Sequence, residues 1–516
     1  MKTSTLSQLA RNASTTIRFN AISTVKSSSQ SFAKTSIMKA SNGTANGTPG
    51  TIPVTQLLAA FAASVKTSDL TPALRLKVKE VVLDYIGCVA GALTHAESTG
   101  PIYSSILALQ GGASTDRAKC CTVLGKGPPH FLPQYAGLLN AAFGHSLDFD
   151  DTYAAGTLHA GVTAVSAALA QAEISRSTPE ELMMAISVGY EITCRLGRET
   201  GYEAYARGFH NTSTCGIFGS VAAIAVLKGL SAETVEMAFG LAGSKAAGSM
   251  QYLDNGSWNK RLHPGFAVHD AFMCVAMAEA GVIGATRIIE GKSGFLNAYS
   301  PNPNKDLDRL VEGLGKKWEW LTSSLKPYPA CRMTHGFIEL CGDIHDQRTG
   351  SSGGKLNPSE FASVNLSMSA NNFILVGDPT PNKIHPSNVI DAQFSAYFQV
   401  AHMLIHGAKT GDMAPYSRLQ DADLRELREK ITVQTDDSMG QYSAKMRVKW
   451  ADGGQEVQTE QQHPLGEVEH PFTRDKVEEK FVTLASPVYG ERTAQIIKMI
   501  DSLEDVDLAA LLTVLQ

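Results

Sequence analysis

Thr71–Leu93 reads TPALRLKVKEVVLDYIGCVAGAL. A threonine able to cap, a proline in the first turn, and apolar residues then recurring at spacings of three and four predict an amphipathic helix. The same grammar returns in TPEELMMAISVGYEITCRLG (178–197), where Thr178 is the cap and Glu180 and Glu181 sit in the first turn, where acids suit the helix dipole. GIFGSVAAIAVLKGL (216–230), SAETVEMAFGLAGSKAAGSM (231–250) and FAVHDAFMCVAMAEAGV (266–282) are rich in Ala and Gly, which let helices approach closely. From about Val54 to Lys326 the text therefore predicts a compact helical bundle with little sheet.

After Lys326 the period changes. SVNLSMSA (363–370), KITVQTDD (430–437) and AKMRVKW (444–450) alternate apolar and polar residues, as half-buried strands do. Ala451-Asp452-Gly453-Gly454 reads as a hairpin turn into QEVQTEQ. MTHGFIELCGDIHD (333–346) and DAQFSAYFQVAHMLIHG (391–407) read as helices among these strands, and SRLQDADLRELREK (417–430) as a charged helix with a solvated face. The closing segment, TRDKVEEKFVTLA through LAALLTVLQ, is helical again. The expected fold is mainly α: a large helical domain over 51–325, a smaller α+β domain over 326–460, and C-terminal helices over 461–516 that return to the first domain.

Composition bounds what such a chain does. With 516 residues, 43% hydrophobic and 18% charged, it buries a substantial core. A net charge of −5 offers no basic footprint for nucleic acid. No run of about 18 apolar residues predicts a membrane span. The eight cysteines are dispersed without zinc-like spacing, which suits buried thiols in a reducing compartment. The first acid is Asp69, and six basic residues stand among sixteen Ser or Thr before Asn42. That is the composition of a mitochondrial transit peptide, so 1–50 is read as leader and linker and the location as the mitochondrial matrix. The plain alternative is a tail without an address on a cytoplasmic protein.

Four segments concentrate chemistry. In GHSLDFDDTYAAGTLHAG (144–161), Asp148, Asp150 and Asp151 lie between His145 and His159. A metal site is disfavoured, because adjacent aspartates point apart on a helix or a strand. As a proton-handling site, Asp148 and Thr152 are one helical turn apart, and His159 precedes an apolar helix whose positive end lowers its pKa. In YARGFHNTSTCGIFGS (205–220), His210 stands before Asn211, Thr212 and Ser213, which either cap a helix or leave its N–H groups free for an anion. YLDNGSWNKRLHPGFAVHDA (252–271) gathers Lys260, Arg261 and His263, suited to carboxylates. LKPYPACRMTHGF (325–337) brings Tyr328, Cys331, Arg332 and His335 to the domain junction, and nothing near Cys331 in sequence activates its thiol.

Taken together, LDFDDTY…LHAG, GFHNTSTCGIFG, NGSWNKRLHPGFAVHD with EGKSGF, and YPACRMTHG, in this order, resemble the MmgE/PrpD family from about residue 52 onward. The resemblance implies a helical domain with an α+β lid, a homodimer, and a cleft that works without metal or organic cofactor. It implies a small-molecule polycarboxylate substrate and a lyase that decarboxylates a cis-aconitate-like tricarboxylic acid to an itaconate-type product. Dehydration of 2-methylcitrate or another alkylcitrate, epimerisation by proton transfer, and a non-catalytic carboxylate-binding relative remain as alternatives. The residues it points to are Asp148, Thr152, His159, His210 and Lys260 as catalytic. Arg261, His263, Tyr328 and His335 are expected to bind substrate.

Overall fold

Thr71 caps the helix it precedes. Its Oγ1 accepts from the Leu74 N–H at 3.3 Å, and α1 runs Pro72–His95 with Leu74, Val78, Val81, Val82 and Ile86 buried. The structure is a computed structural model and describes residues 52–112, 119–301, 305–350 and 353–516. The stretch read as leader and linker lies outside the described residues.

Five further helices complete the ground on which the site stands: α2 (Pro133–Gly144), α3 (Gly161–Ser175), α4 (Pro179–Ala206), α5 (Asn211–Lys228) and α6 (Asn259–Glu279). The start of α4 is a capping box: Thr178 Oγ1 accepts from Glu181 N at 3.2 Å, and Glu181 accepts from Thr178 N at 2.8 Å. Helices α4 and α5 press so closely that a Cβ on Gly219 would lie 2.4 Å from the Gly189 carbonyl. Only glycine fits there.

The second part of the chain supplies a four-stranded sheet of order β2-β1-β3-β4. Its strands are β1 (Phe361–Met368), β2 (Ile431–Thr435), β3 (Ala444–Trp450) and β4 (Val457–Gln461). β1 pairs parallel with β2, from Val364 opposite Ile431, and antiparallel with β3. The hairpin between β3 and β4 exists, but its connection is longer than the Ala451–Gly454 turn read from sequence, since β4 resumes only at Val457. Helices α7 (His335–Thr349) and α8 (Ala396–His406) share a core with the sheet. The helix expected over 391–407 is broken: Val389–Gln393 is a short helix of its own, and Ser395 Oγ caps α8 by accepting from Phe398 N at 2.9 Å. The charged segment is not wholly solvated either, because its helix Ala422–Arg428 buries Leu424, Leu427 and Arg428.

The protein is thus mainly α with a small α+β part. One hydrophobic core is built on the bundle and includes Val477, Phe481 and Leu484 of α9 (Arg474–Tyr489). The other is built on the sheet with α7 and α8, and takes in Tyr205, Met250 and Tyr252 from the bundle. Both lie within one compact unit, Ile52–Gln516. No helix among the described residues is long and apolar enough to cross a membrane.

Candidate active site

The acidic stretch after α2 is not helical, contrary to the one-turn spacing expected for Asp148 and Thr152. Asp148 adopts a left-handed backbone with φ 52°, a conformation that costs energy for a residue with a Cβ and clusters at functional sites. Thr152 lies instead in a β-bridge with Ser324, closed by N–H···O contacts of 2.8 and 2.7 Å. The turn sends the three aspartates to three different partners.

Asp148 faces cations. Its Oδ1 accepts from Lys260 Nζ at 2.6 Å and lies 3.1 Å from Lys326 Nζ, which also donates to the Asp148 carbonyl at 2.7 Å. Burial opposes a charged Asp148, but Lys260 and then Lys326 hold its carboxyl well below the usual range. Asp150 faces imidazoles: its Oδ2 accepts from His145 Nδ1 at 2.8 Å and stands 3.3 Å from His159 Nδ1. Asp151 turns away and accepts from the Gly161 N–H at 3.0 Å, at the start of α3. A Cβ on Gly161 would come within 2.2 Å of that carboxylate oxygen. Burial, with Asp150 and Asp84 adding, pushes Asp151 up to about 8, so it is protonated at neutral pH.

The histidines are neutral. Burial takes His145 down to about 3 despite Asp150. Its Nδ1–H is therefore given to Asp150, and its Nε2 receives Lys260 Nζ at 3.2 Å. His159 is lowered by burial, with Asp150 pulling upward and Lys260 and Lys326 pushing down. Its Nε2 lies 3.5 Å from Asp148 Oδ1, and its backbone N–H donates to Thr212 Oγ1 at 3.0 Å. His210 precedes α5, and its Nδ1 meets His263 Nδ1 at 3.1 Å, so the two rings carry opposite tautomers. Burial lowers both, His263 to about 4.

Asp148, Thr152, His159, His210, Lys260 and Lys326 line a single cleft, closed on its other side by Cys331, Arg332, Phe394 and Tyr442. Four buried atoms here make no hydrogen bond: Asp148 Oδ2, Thr152 Oγ1 and His159 Nδ1 on lining residues, and Asp150 Oδ1 behind them. The 3.3 Å contact of His159 with Asp150 lies outside hydrogen-bond geometry. The two carboxylate oxygens can accept only, whereas Thr152 Oγ1 can donate to an anionic ligand and His159 Nδ1 can take up or give a proton.

Three residues expected to bind substrate are elsewhere. Arg261 turns off the cleft to donate to Ser98 Oγ at 2.9 Å, because neighbours on a helix point about 100° apart and Lys260 takes the cleft side. His335 has both ring nitrogens engaged, with Arg332 Nη1 at 2.9 Å and the Ala330 carbonyl at 3.1 Å. Tyr328 packs edge-on against that ring at 5.3 Å. His263 reaches the cleft only through His210. Arg332 lines it but is engaged by Glu467 at 2.5 Å, and burial raises the Cys331 thiol to about 11, which leaves it a poor nucleophile.

Lys326 and His145, to which no local motif assigns a role, also belong to this constellation. Lys326 sits before Pro327 with no pattern around it; the only hint was a lone lysine entering a Pro-rich apolar stretch. His145 stands five positions before Asp150, a spacing that means little until the chain turns. His145, Asp150 and His159 also place one donor atom each within 4.8 Å of one another, a spacing compatible with a metal ion. The Lys260 ammonium beside His145 opposes a second cation there.

The MmgE/PrpD N-terminal domain model matches residues 56–308 and the MmgE/PrpD C-terminal domain model residues 328–505. Among curated proteins, cis-aconitate decarboxylase of Aspergillus terreus (strain NIH 2624 / FGSC A1156) is 25% identical over 489 residues, 90% of this chain and 96% of the relative. The human protein of the same name is 26% identical over 90% of this chain and 94% of its own. A cis-aconitate decarboxylase-like protein of Aspergillus oryzae (strain ATCC 42149 / RIB 40) is 25% identical over 90% and 97%.

Proposed function

This chain belongs to the MmgE/PrpD family, and from that premise we propose that it is a lyase that decarboxylates a cis-aconitate-like tricarboxylate. The observation that carries this reading is a cleft in which two buried lysines, Lys260 and Lys326, stand beside His159 and the unpartnered hydroxyl of Thr152. Names borne by relatives that align over nearly the whole chain support the choice of reaction.

Lys260 and Lys326 receive carboxylates of the substrate, and Thr152 and His210 supply neutral donors beside them. Loss of CO2 sends the electron pair of the broken C–C bond through the double bond toward a remaining carboxylate. The resulting trianionic fragment takes one proton on carbon, giving CO2 and a dianionic product. His159 is the donor. It is neutral in the empty cleft because burial and the two lysines disfavour its charge. Once substrate carboxylates engage those lysines, Asp150 and Asp148 prevail and the imidazole gains the proton it then delivers. Charge stabilisation by each fixed donor in a closed site is worth about 10²–10³ in rate.

The test is to incubate the purified protein separately with cis-aconitate and with 2-methylcitrate, following CO2 and the absorbance of a new double bond. CO2 from cis-aconitate is expected. Absorbance gain from 2-methylcitrate without CO2 would replace decarboxylation by dehydration, and no change with either would remove the proposal.

A further inference from the structure

Three successive carbonyls of the site loop are each gripped by a side chain from a remote part of the chain. Leu147 O accepts from Gln393 Nε2 at 2.6 Å, Asp148 O from Lys326 Nζ at 2.7 Å, and Phe149 O from Lys480 Nζ at 2.8 Å. The first two grips come from segments that line or adjoin the cleft. The third comes from α9, whose residues do not touch it.

We propose that Lys480 is a positioning residue for the reaction, which holds the Phe149 carbonyl and thereby sets the aim of Asp148 and Asp150 on either side of it. This rests on the decarboxylase reading above. Lys480 is 1% exposed, and its ammonium also binds Asp84 Oδ1 at 2.6 Å and lies 3.8 Å from the centre of the Phe149 ring. A buried Lys–Asp pair needs no loop to be stable, and such pairs are often replaceable by apolar residues without loss. The additional contacts with Phe149, backbone and ring, are what tie this pair to the site. Asp148 is held left-handed at φ 52°, a state that persists only where the surroundings over-determine it. A small rotation of the 149 peptide would swing Asp148 off its lysines and Asp150 off His145 together.

The experiment compares two variants of the full chain: Asp84→Asn, and the all-apolar pair Asp84→Leu/Lys480→Met. Asp84→Asn keeps the ammonium on Phe149 and is expected within threefold of wild-type kcat. The apolar pair is expected to unfold cooperatively near the wild-type temperature, yet to show kcat about 100-fold lower, the usual cost of a misplaced catalytic group. Its KM should stay within about threefold, since Lys260 and Lys326 remain. A folded apolar pair with kcat within threefold of wild type would overturn the proposal. So would failure of that pair to fold, because Lys480 would then serve folding and not the site. If wild type itself does not turn over cis-aconitate, the reaction fails and amide exchange judges Lys480 alone. Amides 146–152 of the apolar pair should exchange at least about tenfold faster while α1 and α9 stay protected; unchanged loop exchange would sink it.

Discussion

Two clusters of buried charge lie in the same bundle and are built to opposite specifications. Glu191 and Arg195 on α4 are both fully buried. Arg195 Nε donates to Glu191 at 2.6 Å, and its Nη atoms reach the carbonyls of Leu310, Glu312 and Lys317 at 2.8–2.9 Å. The other oxygen of Glu191 accepts from Trp320 N at 3.2 Å. Asp148, Asp150 and their lysines and histidines are buried to nearly the same degree, yet leave both aspartates with an unpartnered oxygen. Saturated charge is architecture, since both carboxylate oxygens and all three guanidinium nitrogens have a partner within the fold. Unsaturated charge leaves an acceptor open to a proton or a donor.

The contrast breaks first at His159. His159→Gln is expected to lower turnover of cis-aconitate by about 10²–10⁴, the span of a lost general acid, with little change in denaturation midpoint; steady-state assay and urea titration together check it. Arg195→Met should do the reverse. Removing one partner of a buried pair costs about 3–5 kcal/mol, so its unfolding midpoint drops sharply while the folded fraction keeps its kcat.

A smaller effect sharpens the electrostatics. His263 is held down to about 4 in the folded chain, whereas an unfolded histidine takes up a proton below about 6.5. Between those values the unfolded state binds more protons, so stability falls as pH falls, by about 1.4 kcal/mol per pH unit for this group. Urea titrations at pH 7.5 and 4.5 should therefore show a smaller loss for His263→Gln than for wild type. The smallest expected effect is at Arg261. Because it faces Ser98, Arg261→Met should leave KM for cis-aconitate within about threefold, while Lys260→Met next to it lowers kcat/KM by about 10²–10³.

Much of the fold was written in local grammar. The Thr71-Pro72 and Thr178-Pro179 starts announce α1 and α4, and two-residue alternation announces β3, because caps and periodicity act within a few residues of each other. What local grammar does not carry is the left-handed turn at Asp148, which abolishes the helical face expected for Asp148 and Thr152. Nor does it say which of the neighbours Lys260 and Arg261 looks inward, since that depends on how α6 is rotated against the loop. Lys326 and Lys480 are 178 and 331 residues from the carbonyls they hold, and only tertiary placement reveals them. Gathering acids, imidazoles and a lysine from three distant motifs was legible as chemistry, but the hand-over of each aspartate to its own partner was not.

Proton delivery by His159 requires that its imidazole become charged when carboxylates reach the cleft. Calorimetric titration with propane-1,2,3-tricarboxylate, which cannot lose CO2 through a double bond, measures this at pH 7.5 in two buffers of different ionisation enthalpy. The expected result is binding with uptake of up to roughly one proton, abolished in His159→Gln. Binding with no proton uptake, or uptake that survives that substitution, would contradict it.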